Sequence, residues 1–304
     1  MDLEYFAELF LGGLTRGSIY ALIALGYTMV YGIVQLINFA HGEIYMIGAF
    51  TALIIASVLS MEFGWTHAGA IFLLASLAAI VYSCSYAWTM EKIAYKPLRK
   101  APRLSVLISA IGMSLFLQNY VLLAQTSDFL PFPKLIPDWE FWEPYAHIIS
   151  APEIAILVVT ATVMILLTFL IKFTRIGKAM RATAQDREMA MLVGVDVDQV
   201  ISMTFIIGSA TAAIGGVLIA SHIGQINFYI GFLAGIKAFV AAVLGGIGSI
   251  PGAVLGSLVL GWTESFFTGY ISSDYEDVFA FVFLVCILIF RPAGLLGRPE
   301  TQKV

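Results

Sequence analysis

In "INFAHGEIYMIGAF", residues 37–50, Asn38, His41 and Glu43 fall within six positions inside one of the most apolar regions of the chain. A buried imidazole and carboxylate can carry protons or hold a cation. An Asn side chain can accept from the first backbone N–H groups of a helix. In lipid, a carboxylate costs about 2.5 to 3.5 kcal/mol on insertion scales and about 10 or more in simulations. Such a cluster needs compensation, and often marks a pathway. Asn38 is expected either to cap a helix starting near Phe39 or to line that pathway. His41 and Glu43 would reach water if the chain turned at the cytoplasmic side, and Glu43 would gain from a helix N-terminus. Lys237, in "GFLAGIKAFVAAVLGGIGSIPGAVLGS", is a second charge within an apolar run. It either snorkels to the outer surface or pairs with Glu43. A simple topology opposes the pair, with Glu43 in the inner half and Lys237 in the outer.

The elements that must position these residues follow from composition. Of 304 residues, 60% are hydrophobic and 12% charged, with mean hydropathy +0.92. A soluble chain would carry about 25% charge, so the pattern is that of an all-α, polytopic transmembrane helical bundle. Nine apolar runs are candidate spans: 9–33, 36–60, 66–90, 104–125, 151–172, 199–221, 232–248, 251–270 and 277–291. The second and seventh are candidates for broken or re-entrant helices, which makes the count eight to nine. All of them belong to one transmembrane domain over 1–304.

Charge sets the orientation. Thirteen of the 16 Lys and Arg lie in three stretches, from Lys92 to Arg103, from Lys172 to Arg187, and from Arg291 onward. By the positive-inside rule these are cytoplasmic, with the N-terminus outside and the C-terminus inside. The acidic, Pro- and Trp-bearing stretch 126–150 and "SSDYED" at 272–277 are then external. Arg16, Lys134 and Lys237 are the exceptions. The start "MDLEYFAELF" has no basic n-region, so the first run is expected to be a permanent span. A net charge of −4 offers nothing to nucleic acid. Cys84 and Cys286 have neither disulfide nor metal-ligand spacing, and no metal is expected.

Two segments match each other: "QLINFAHGEIYMIGAF" at 35–50 and "QINFYIGFLAGIKAF" at 225–239. The preceding spans run in opposite directions, the relation of an inverted repeat whose discontinuous helices build a site near the midplane. Chance likeness between Gly-rich spans is the alternative. Asn227 takes the place of Asn38 in the second copy. "GGIGSIPG" at 245–252 breaks the chain between two spans. It lacks the Lys-Ser/Thr of a phosphate-binding loop, and no such loop occurs.

The cytoplasmic stretch 173–198 contains "RATAQDREMAMLVGVD". Ala182, Met189 and Val193 recur at helical spacing among polar residues, Gly194 is a natural helix stop, and Asp198 is a start signal for the next span. A short helix lying along the membrane is expected, against lipid or against a protein. Its small Ala/Met face lacks Trp or Phe anchors, which favours a protein.

Together, "GLTRGSIYALIALGYTMVYGIVQLINFAHGEIYMIGAF", "RATAQDREMAMLVGVD" and "GIKAFVAAVLGGIGSIPGAVLGS" resemble the permease subunits of branched-chain amino acid ABC importers, from about Leu11 to Gly297. The resemblance implies a bacterial inner-membrane transport subunit, not an enzyme, working beside a second, homologous permease. It implies two cytoplasmic ATPase subunits that hold ATP and Mg, an external substrate-binding protein, and no cofactor in this chain. The short helix would be the coupling helix in the ATPase groove, with Arg181, Ala182, Asp186, Met189, Leu192 and Gly194. For the path, it points to Asn38, Phe39, His41, Gly42 and Glu43. The competing class is an ion-coupled secondary transporter using His41 and Glu43. An intramembrane enzyme is disfavoured, because neither G-x-S-x-G nor H-E-x-x-H occurs.

Overall fold

The computed structural model describes residues 3–99, 101–136 and 148–297. Each of the nine apolar runs forms a helix. In chain order these are α1 (Leu3–Val34), α2 (His41–Met61), α3 (Ala68–Met90), α4 (Arg103–Ala124), α5 (Ala151–Phe173), α8 (Val197–Ile223), α9 (Ile230–Gly245), α10 (Ile250–Tyr270) and α11 (Glu276–Phe290). Two short helices, α6 (Arg175–Gln185) and α7 (Arg187–Leu192), join α5 to α8. A π-helical turn, Glu91–Tyr95, extends α3. Seven described helices are long and apolar enough to cross a membrane. At 16 and 15 residues, α9 and α11 are too short for the roughly 20 that a full span needs.

Burial separates core from rim. Along α1, α2 and α8 nearly every central residue is buried, many of them Gly, Ala or Ser, which lets backbones approach without a hydrophobic driving force between helices. On α3, α4, α5 and α11 the large apolar side chains point outward, among them Leu77, Leu123, Phe169 and Phe290. That rim is the surface lipid would cover. Polar residues cap the helices between: Thr174 for α6, Asp186 for α7, Asp196 for α8 and Ser249 for α10. Asp196 therefore starts α8, not Asp198, which lies in the first turn and pairs with Lys96 at 2.7 Å and with Arg99.

The two matched segments share a turn that leads into a helix. Gln35 and Gly224, each three residues before the Asn, are left-handed at φ 55° and 76°. In each copy the Asn Oδ1 then accepts from the N–H two residues on, Ala40 at 3.1 Å and Tyr229 at 3.2 Å. His41 and Ile230, three residues past the Asn, begin α2 and α9. The left-handed position, not the Gln, is the shared feature: Gln35 aligns with Gly224 and Gln225 with Leu36. Helix packing repeats as well. α1 packs on α10 and α9 as α8 packs on α3 and α2.

The breaks lie at opposite ends of the bundle. Leu130–Pro131 (β1) pairs antiparallel with Gln225–Ile226 (β2), tying the 126–136 segment to the second break. The first break lies at the basic end, where Tyr95 Oη donates to Asn38 Oδ1 at 2.6 Å. This pairing holds the first part of the 126–150 stretch, and 137–147 lies outside the described residues.

Candidate functional site

After Val34 the chain turns back into the bundle. A Cβ on Gly26 would collide with the His41 ring, and Gly26 lies eight residues before the end of α1. At 1.5 Å per residue, α2 therefore begins about 12 Å inside that end. Gly231, at the start of α9, meets Gly42: a Cβ there would lie 2.7 Å from the Gly42 carbonyl oxygen. Two interrupted helices thus enter from opposite ends, and their N-termini meet deep in the bundle.

Glu43 occupies that meeting point. It is fully buried, in the first turn of α2, with its Oε2 2.7 Å from where a Gly231 Cβ would stand. Ser114 of α4 donates to Oε1 at 2.9 Å, and Oε2 has no hydrogen-bond partner among the described residues. Two helix N-termini and one hydroxyl compensate the carboxylate. A glycine at position 231 is what lets it sit there.

Around Glu43 the chain gathers the other residues expected from the sequence. His41 is buried edge-on to Tyr27, with ring centroids 4.9 Å apart, and Phe39 packs on Phe239 at 5.5 Å. A cavity of about 240 Å³ adjoins them, lined by Tyr27, Phe39, Ser114, Phe232 and Gly235. Asn38 does not cap α2, whose N-cap is Ala40; it forms the turn two residues earlier and holds Tyr95. A helix from Phe39 would require backbone that this turn already commits. Changing Glu43 to Gln should lower transport about tenfold or more, because a charge-assisted hydrogen bond and the dipole interactions go together. Assembly should be retained. Uptake equal to the parent's would make Glu43 a replaceable helix-end charge.

Lys237 and Glu43 do not pair. Lys237 Nζ lies 2.7 Å from Asp277, 2.8 Å from Glu276 and 3.3 Å from Glu264, at the end of the bundle that carries the second break. It does not snorkel free, being 17% exposed within this carboxylate cluster. Arg16 pairs with the second oxygen of Glu276 at 3.1 Å. The two intramembrane exceptions to the charge rule thus share the Glu276 carboxylate, with Glu264 and Asp277 also facing Lys237. Tyr20 donates to Glu264 at 2.7 Å, completing the network. The sequence reading missed Glu264, although a carboxylate within "GWTESFF" is flagged by the same burial cost as Glu43.

The region 173–198 forms two helices rather than one, because Asp186 takes an extended backbone and caps α7 through the Met189 N–H. Gly194, at φ 87°, ends α7 as expected. Met189, Leu192 and Val193 are exposed, at 61%, 81% and 78%. Arg181 donates to the Ile171 carbonyl, and Ala182 packs partly buried against the core. Arg187 was missed: it donates to the carbonyls of Ile33, at 3.0 Å, and Val34. Those are the last residues of α1 before the break that leads to Glu43. Its basic type offered no sign of that partner.

Long apolar helices around buried charges, with interrupted helices meeting deep in the bundle, define a polytopic helical membrane protein. The family model described as "Branched-chain amino acid transport system / permease component" matches residues 9–288, and the chain belongs to that family. It is 48% identical to the high-affinity branched-chain amino acid transport system permease protein LivH of Escherichia coli (strain K12), over 99% of this chain and 98% of that one. Against the corresponding permease protein BraD of Pseudomonas aeruginosa the identity is 49%, over 100% and 99%. A probable branched-chain amino acid transport permease protein of Methanocaldococcus jannaschii is 26% identical, over 94% and 91%. The chain is a permease subunit of an ABC-type transport system.

Proposed function

We propose that this subunit carries branched-chain or related aliphatic amino acids inward across a bacterial inner membrane. Partners supply the rest: a second homologous permease, two ATPase subunits with ATP and Mg, and an external binding protein. The observation that carries this reading is the near-full-length identity to permeases named for that substrate class. The basic end of the bundle faces the cytoplasm, with the N-terminus outside and the C-terminus inside. The Met189, Leu192 and Val193 face then enters the ATPase. Its motion reaches the path through Arg187, the end of α1 and the 35–40 break. Asn38, Phe39, His41, Gly42 and Glu43 line that path from the first break, with Asn227 and Lys237 on the second.

The test is uptake of labelled leucine into proteoliposomes holding the complete complex. Uptake should need ATP and binding protein and persist when proton and sodium gradients are collapsed. Dependence on a gradient without ATP would favour the ion-coupled carrier, for which the orphaned oxygen of Glu43 would be the ion site. Orientation is read separately: a cysteine at Ser272 should react with an impermeant reagent on intact cells. Labelling only after lysis would invert the topology.

A further inference from the structure

Beside the Lys237 network, at the second break, lies a cavity of about 290 Å³ separate from the one beside Phe39 and Ser114. Its walls come from α1, α2, α8, α9, α11 and the second break, so it opens between elements of both copies of the repeat. Arg16 and Asp277 line it. Both have spare bonding capacity. One guanidinium nitrogen of Arg16 binds Glu276, leaving most of its five N–H donors. Asp277 gives one oxygen to Lys237, and its side chain is 58% exposed.

The charge count is unequal. Arg16 and Lys237 face three carboxylates, those of Glu264, Glu276 and Asp277. Lys237 is already ion-paired to all three groups, so the network can accept one more cation and still present Arg16 to an anion. Two neutral polar groups also reach the cavity. Asn227 uses only its Oδ1 in the turn, and Tyr45 Oη makes no hydrogen bond among the described residues. The remaining wall is aliphatic, with Ile219, Ile223 and Leu233 prominent. A small ligand with ammonium, carboxylate and an apolar branched side chain matches each of these features.

We propose that this cavity is a subsite within the permease for a zwitterionic aliphatic amino acid, its ammonium on Asp277, its carboxylate on Arg16 and its side chain against Ile219 and Leu233. The inference rests on the transport reading above and adds the place where substrate first meets the permease. Selectivity is then shared between the external protein and this subunit. A lipid chain in the same cavity would use the aliphatic wall but not the charges.

The experiment uses the complete complex in proteoliposomes, with saturating binding protein outside and ATP inside. Initial uptake of labelled leucine, valine and alanine is compared. Uptake by the parent alone tests the transport reading; the variants test the subsite. Ala234, on the same wall, is partly buried, and Ala234→Val should narrow the cavity. It should cut leucine uptake relative to alanine about tenfold, the discrimination one or two methyl groups provide. Ile219→Ala widens it and should shift the ratio the other way. Asp277→Asn should lower uptake of all three about tenfold, with partial recovery in Asp277→Glu. ATPase co-purification should match the parent in every variant. If the parent transports leucine while Ala234→Val and Ile219→Ala leave the ratios unchanged, the cavity is not a substrate subsite. A uniform fall across substrates in those two variants would equally overturn it, as a structural effect or a lipid site.

Discussion

Gly42→Val will leave little folded protein in the membrane, whereas Gly112→Ala will be tolerated. A Cβ at Gly42 would lie 2.7 Å from the Gly235 Cα and closer still to the Gly231 carbonyl oxygen. Both obstacles are backbone, so no side-chain rotation relieves the clash. Ordinary overpacking costs about 1–3 kcal/mol, and here two helix N-termini must separate, which also displaces Glu43 from its compensating dipoles. With about 3–5 kcal/mol more for leaving the buried Glu43 charge uncompensated, the cost is comparable with a total stability of about 5–15 kcal/mol and enough to unfold the centre. At Gly112 nothing lies within 4 Å, and alanine improves helix propensity. Detergent-extracted yield and thermal aggregation midpoint decide the matter. A parental yield and midpoint for Gly42→Val would mean that the two helix starts are not in contact in the membrane.

The second large effect is expected at the far end of the molecule. Met189→Asp should insert and fold normally, since Met189 is 61% exposed in the subunit alone. If α7 docks into the ATPase as proposed, the same change would bury an unpaired charge in the complex, at a cost of several kcal/mol. ATPase co-purification should fall at least about tenfold, or hydrolysis should lose its stimulation by loaded binding protein. A ligand or partner shifts an equilibrium only through contacts that differ between its states, and on the proposed docking α7 would connect such contacts to the end of α1 through Arg187. Unaltered assembly with full stimulation would remove α7 as the coupling element. Loss of the protein from the membrane would instead assign Met189 a structural role.

The basic stretches that order the topology sit together at one end of the structure, at least in their described parts. Glu91, Lys92, Lys96 and Arg99 join Asp198 there, and Arg187 joins the end of α1. Each is a local consequence of charge excluded from apolar spans, and charge is written residue by residue.

The sequence by itself marked the nine apolar helical segments, the all-α class, the family resemblance and the two matched segments, because hydropathy, charge and Asn-containing turns act over a few residues. It also marked Glu43 and Lys237 as charges in need of partners. Who the partners are, only the tertiary structure decided. Ser114, Gly231 and the N-terminus of α9 reach Glu43, and Glu264, Glu276 and Asp277 reach Lys237, across sequence separations that no local pattern encodes. The pair Glu43–Lys237, plausible from sign alone, does not form because the two interrupted helices cross at their glycines. Lys237 is thereby turned towards the carboxylates of α10 and α11. Signs of charge are a property of residues; which opposite charge lies within 3 Å is a property of helix packing.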